Sequence, residues 1–344
     1  MKQYRLLFAI LIVLPALACR AATRLISGDE PIPSDGTPTV PAATATASQP
    51  TDEVSCPSET SSIIQAANSQ SLPSAKFPSV DTGNSIDIPL VTYTINGDQI
   101  EQTVLEQVPD SLLPYQSDFS IQESAWKLFT ALIPKDQRAL VGQYQVMTDG
   151  PGGVLSAVEQ TSQDPRSWVL EIDIADVPDT KSLAFTLLHE FGHLLTLGPS
   201  QVPPDLQIFN DPHSRRTRER ALAACNSYFP GGGCSLPESY LNVFFSRFWR
   251  DLYDEWKAID GVRDDIHRDV ELHTFYRKYH DRFVDSYAVT NPSEDIAESW
   301  AFYILNPQPE GDSVMEQKLK FFHEYPELVK LRSRILTSLC AANP

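Results

Sequence analysis

The chain has 344 residues, with 27 Lys and Arg set against 45 Asp and Glu, and a formal charge of −18 at pH 7. A surface this acidic repels phosphate backbones, which argues against a nucleic-acid partner. The one basic cluster, His213-Ser214-Arg215-Arg216-Thr217-Arg218-Glu219-Arg220, reads as a solvated helix face.

The first residues have the layout of an export signal: Lys2 and Arg5, an apolar run from Leu6 to Leu14, then small residues at Ala16 and Ala18. That run is too short to span a bilayer. Two kinds of processing share one cleavage point before Cys19. Ala16-Leu17-Ala18 suits ordinary signal peptidase, and a Cys after small residues resembles a bacterial lipobox, although Ala16 and Leu17 depart from its usual order. We read Cys19 as lipidated because residues 21–59 are rich in Pro, Thr, Ser and Ala and hold few large apolar side chains. Such a stretch cannot bury enough surface to fold, and it reads as a tether that holds a domain off a membrane.

The expected division is a signal peptide (1–18), a lipidated Cys and tether (19–59), a β-rich N-terminal subdomain (60–115) and a catalytic domain (116–344). With Cys19 lipidated, four cysteines remain in an exported protein, and three pairings are open to them. The favoured set is Cys225 with Cys234 across Gly231-Gly232-Gly233, and Cys56 with Cys340.

Alternation around Asn96-Gly97 predicts a β-hairpin within 86–108. A helix over 122–133 follows, then strands over 139–148 and 168–174, separated by the turn Asp149-Gly150-Pro151-Gly152-Gly153. The strand over 168–174 is expected to be an edge that could pair with an extended peptide. Next comes an apolar stretch, 183–197, with helical patterning, and after it predicted helices over 216–224, 237–259, 265–279, 293–305, 313–323 and 327–341. Trp249 and Trp256, with Phe244, Phe245 and Phe248, form core stripes. The fold class is α+β: a small mixed sheet, then a central helix, then a mostly helical C-terminal half.

The central helix carries Leu188-His189-Glu190-Phe191-Gly192-His193-Leu194, which contains HExxH. Residues four apart share a helix face, so His189 and His193 can offer two imidazole nitrogens to one Zn2+ ion, with Glu190 beside them as general base. Such a site lacks one protein ligand. The metzincin continuation would need Gly and His where Thr196 and Pro199 stand, so it fails. A glutamate on a later helix is the remaining common solution.

One segment supplies it: Asn291-Pro292-Ser293-Glu294-Asp295-Ile296-Ala297-Glu298. Asn291 and Pro292 make a helix start, and Glu294 and Glu298 lie one turn apart. Two like charges at that spacing cost a few tenths of a kcal/mol on a bare helix. A shared cation or imidazole would explain them, with Glu294 on the metal and Glu298 hydrogen-bonded to a ligand histidine. The plainer reading makes Glu294 part of a capping box with Asn291.

Tyr287, Glu294 and Glu298 after HEFGH resemble the catalytic centre of gluzincin metallopeptidases of the anthrax lethal factor type. They also resemble zinc-binding metallopeptidase lipoproteins with an N-P-x-E-D-x-A-E signature. The likeness covers residues 188–198 and 287–302 only. It implies a zincin-like fold, one Zn2+ held by His189, His193 and Glu294, catalysis by Glu190 with Tyr287 donating to the oxyanion, and Glu298 supporting a ligand. The function expected is hydrolysis of peptide bonds in a peptide or protein substrate by an extracytoplasmic enzyme. It would be a cell-envelope lipoprotein touching the membrane only through its lipid, or otherwise a secreted protein. The alternative is a non-catalytic zinc-binding surface lipoprotein on the same fold.

Overall fold

A computed structural model of the chain describes residues 87–150 and 154–341. The signal segment, Cys19, the tether and Cys56 lie outside the described residues. So does the side chain of Cys340, and with it the second expected disulfide.

Strands β1 (Ile88–Asn96) and β2 (Gln99–Leu105) form the expected hairpin. Its turn rests on Gly97, whose φ of 67° lies in the left-handed region that glycine enters without a Cβ clash. After the short helix α1 (Leu113–Ser117) comes α2 (Phe119–Leu132), started by Asp118, whose carboxylate accepts the Ile121 N–H. β3 (Val141–Thr148), β4 (Ser156–Gln160) and β5 (Trp168–Asp173) complete one five-stranded sheet of order β2-β1-β3-β5-β4. β3 and β5 run parallel and the other neighbours antiparallel. Gln116 donates to the carbonyls of Leu90 and Glu106, so α1 is fastened to the hairpin, and one hydrophobic core runs across the 115/116 position.

Two expectations about the sheet are corrected. β4 has no counterpart among the predicted strands, because Ser-Ala-Val-Glu-Gln is short and mixed and its pairing with β5 is long-range information. As a result β5 is not an edge. It lies between β3 and β4, and β4 is the outer strand.

Alternation sets the two faces of the sheet. Tyr144, Val146, Leu170 and Ile172 are fully buried on the face that α2 covers, where Tyr144 donates to the Gln122 carbonyl and stacks on Trp126 at 5.5 Å. Gln143, Gln145 and Glu171 point the other way and are only half-buried.

The second half is helical: α3 (Thr180–Leu197), α4 (Leu206–Asn210), α5 (Arg215–Ala224), α6 (Tyr240–Phe248), α7 (Tyr253–Asp260), α8 (Asp265–Tyr279), α9 (Pro292–Leu305), α10 (Val314–Phe321) and α11 (Pro326–Ala341). The single helix expected over 237–259 is two. Arg282 donates to the Phe248 carbonyl and pairs with Asp251. The Leu252 N–H turns to Trp249 instead. The break places Trp249 and Leu252 in the core, and Trp249 and Trp256 are buried as expected. Helix α5 buries no residue, in keeping with a solvated basic face. Cys225 and Cys234 are at disulfide distance with Cα atoms 5.4 Å apart, as expected. No helix of the described residues is long and apolar enough to cross a membrane.

Helices α3 and α9 pack along one another, and at Gly192 they nearly touch. A Cβ there would stand 3.0 Å from Ala297 Cα and 3.2 Å from both Ala297 Cβ and Trp300 Cδ1. Replacing Gly192 by Val should therefore lower stability by about 1–3 kcal/mol, the usual cost of overpacking, and by more than Ala does. Urea unfolding of the two variants checks this, and a wild-type midpoint for Gly192→Val would refute the close approach.

Candidate metal centre

Helix α3 begins at Asp179, whose carboxylate accepts the Ser182 N–H, and it is buried on most of its surface between the sheet and α9. Helix α9 is buried at every position except Phe302. Its start is capped by Asn291 Oδ1, which accepts from the N–H groups of Ser293 and Glu294. Pro292 occupies the first helical position, where a missing N–H costs nothing.

The two helices bring together the three expected ligands. Glu294 Oε2 lies 3.1 Å from His189 Nε2 and 3.2 Å from His193 Nε2, and the two Nε2 atoms are 3.0 Å apart. Among the described residues this is the group of donors able to hold a metal ion, and all three members are buried. The capping-box reading of Glu294 falls away, since its carboxylate reaches the imidazoles.

Glu298 Oε1 stands 3.1 Å from His189 Nδ1. With the ring proton on Nδ1, the nitrogen nearer that carboxylate, Nε2 presents a lone pair. A second imidazole nitrogen and a carboxylate oxygen then crowd the same point. Buried acceptors so placed repel one another unless a cation lies between them, so the donor set fits a bound metal ion. Burial opposes the charged form of His189, yet Glu298 and Glu294 outweigh it and hold the imidazole well above its ordinary value. Burial likewise acts to raise Glu294, but His193 and His189 prevail and keep its carboxyl well below the carboxylate range.

Glu190 is buried beside the triad and is not one of the three donors. Burial, with some help from Glu294 and Glu298, pushes its carboxyl up to about 7 against the pull of the two histidines. Tyr287 is more open, 38% exposed, with its ring centroid 5.8 Å from that of His189. His189, Glu190, His193, Glu294 and Glu298 thus meet at the α3–α9 seam, with the Tyr287 ring beside His189.

Three contributors escaped sequence reasoning. Gly192 sits inside the motif, and a glycine in a helix interior was its only signal. Asp285 carries none. Its Oδ1 accepts from the N–H groups of Tyr287 and Ala288, which fixes the turn bearing Tyr287. Burial, and then Glu298, pushes the Asp285 carboxyl up to about 8. Asp295 lies within the N-P-x-E-D-x-A-E stretch, but its partners come from elsewhere in the chain.

No protein-family model matches this chain, and neither does any curated protein or solved structure. The reading of the site therefore rests on its own geometry.

Elemental analysis of purified variants should separate the two α9 glutamates. Glu294→Ala is expected to lose most bound metal, whereas Glu298→Ala keeps the metal with about 10–100-fold weaker affinity. Full metal content in Glu294→Ala would remove Glu294 from the ligand set.

Proposed function

We propose that this chain is an exported zinc-dependent peptidase of the gluzincin kind. The observation that carries the reading is the convergence of His189, His193 and Glu294 on one point, with the buried Glu190 carboxyl next to them. Their separations of 3.0, 3.1 and 3.2 Å suit tetrahedral zinc, for which bonds of about 2.0–2.1 Å give ligand–ligand edges of about 3.3 Å. Among the described residues the donor set is two nitrogens and one carboxylate oxygen, which would leave one of zinc's four positions to a water, as catalytic zinc requires.

A zinc ion bound there would supply Lewis acidity and draw the pKa of a water toward neutrality. Glu190 takes the proton of the water that attacks the peptide carbonyl and passes it to the departing amine as the C–N bond breaks. A buried carboxylate next to the ligand histidines is placed to do both halves of that transfer. The Tyr287 phenol, its ring 5.8 Å from that of His189 and 38% exposed, would serve as donor to the oxygen that gains negative charge. An extended substrate would add to β4, which lies close to α3 and is the outermost strand on that side among the described residues.

Retention of Glu190 favours catalysis over a purely zinc-binding surface protein, because holding the ion does not call for the base. Export is supported by the Cys225–Cys234 pair, which fits an oxidising compartment.

Glu190→Gln is the discriminating variant. Zinc content should stay at the wild-type level while cleavage of casein or a peptide library falls by about 10²–10⁴-fold. Undiminished cleavage would rule out Glu190 as the base, and absence of cleavage by a zinc-loaded wild type would favour the non-catalytic reading.

A further inference from the structure

Next to Glu294 on α9 stands Asp295, whose partners come not from α3 but from the far side of the helix. Asp295 Oδ2 accepts from Trp249 Nε1 at 2.6 Å and from Lys318 Nζ, on α10, at 2.6 Å, while Ser299 Oγ lies 3.5 Å from Oδ1. Asp295, Lys318 and Trp249 have no exposed surface at all. The Lys318 ammonium also sits 3.9 Å from the ring centroid of Phe283, itself packed edge-on against Trp249 at 5.4 Å. Phe283 opens the segment in which Asp285 secures Tyr287. One buried cation therefore touches both the first turn of the helix that carries Glu294 and the start of the segment that carries Tyr287.

A buried ion pair is a poor device for stability alone, since apolar replacements of similar volume are often neutral or better. It is an effective device for register. If α9 turned or slid, the Asp295 carboxylate would leave Lys318 and Trp249 and strand opposite charges in apolar surroundings. An aromatic face over a desolvated ammonium adds a second directional contact. The Asn291 cap and the packing against Gly192 set where α9 starts and how close it lies to α3, and the buried pair on the other side of the helix adds a directional contact that fixes its rotation.

We propose that Lys318 is a positioning residue that acts through Asp295 and Phe283 to hold Glu294 and the Tyr287 segment in register with His189 and His193. Metal affinity then depends on a charge pair outside the ligand set. The proposal rests on the metal-site reading above.

The test uses the full chain and the double variant Asp295→Asn/Lys318→Met, which removes both charges, keeps an amide oxygen for Trp249 and roughly fills the volume of the lysine stem. Three quantities are compared with wild type: the apo-protein's thermal midpoint, zinc affinity by competition with a chromophoric chelator, and the visible spectrum of the cobalt-loaded protein. The expected result is a cooperative unfolding transition with zinc affinity about ten-fold weaker and shifted cobalt bands. A folded double variant with wild-type zinc affinity and wild-type cobalt bands would show that the pair serves stability alone and would overturn the proposal. Should the double variant not unfold cooperatively, Asp295→Asn/Lys318→Gln, a neutral pair that leaves no buried charge unpaired, decides by the same two metal readouts, weaker zinc supporting the proposal and unchanged zinc overturning it. A wild-type protein that binds neither zinc nor cobalt would overturn the metallopeptidase reading itself, and this proposal with it.

Discussion

The closeness of α3 and α9 is the constraint on which the candidate centre depends. Gly192 lies between His189 and His193 in sequence, and Ala297 between Glu294 and Glu298, so a close approach of the two backbones falls within the turns that carry the polar cluster. Small residues at that point let the backbones approach until a carboxylate on one helix meets imidazoles on the other. A side chain at Gly192 would push the two backbones apart. Packing and ligand geometry are thus one property here.

The same seam carries an unusual load of buried charge. His189, Glu190, His193, Glu294, Asp295, Glu298 and Lys318 are all buried within a core otherwise built from Leu, Phe and Trp. Burying so many ionisable groups is tolerable only where each faces a partner. The arrangement divides them by side of α9: Glu294 and Glu298 face the histidines, and Asp295 faces Lys318 and Trp249. Burial raises the Glu190 carboxyl against the pull of His189 and His193. A group left in this state is suited to exchanging protons, which is the role proposed for it.

Local features were the legible ones. The Asn96-Gly97 turn, the Asn291-Pro292 helix start, the spacing of HExxH and the Cys225–Cys234 closure each draw on residues near one another in the chain, where turn chemistry and helical periodicity apply. Long-range features were not. Strand β4 is defined by its pairing with β5, and the break between α6 and α7 depends on Arg282, more than thirty residues away. Asp285 and Lys318 look like ordinary polar residues until the segments around them are packed. The expected edge at 168–174 was wrong for the same reason, since an edge is a statement about what lies alongside.

By itself, then, the amino-acid sequence determined which residues could hold a metal and on which helices they stand, because i to i+4 spacing is a consequence of helix geometry alone. It also determined that Glu294 and Glu298 would share a face. Only the tertiary structure decided that this face meets that of His189 and His193, that Glu294 turns to the imidazoles and not to its own helix cap, and that Asp295 is gripped from behind. Those outcomes depend on the contact between two helices a hundred residues apart in the chain, and on the cost of leaving buried charges unpaired, neither of which is written in any local pattern.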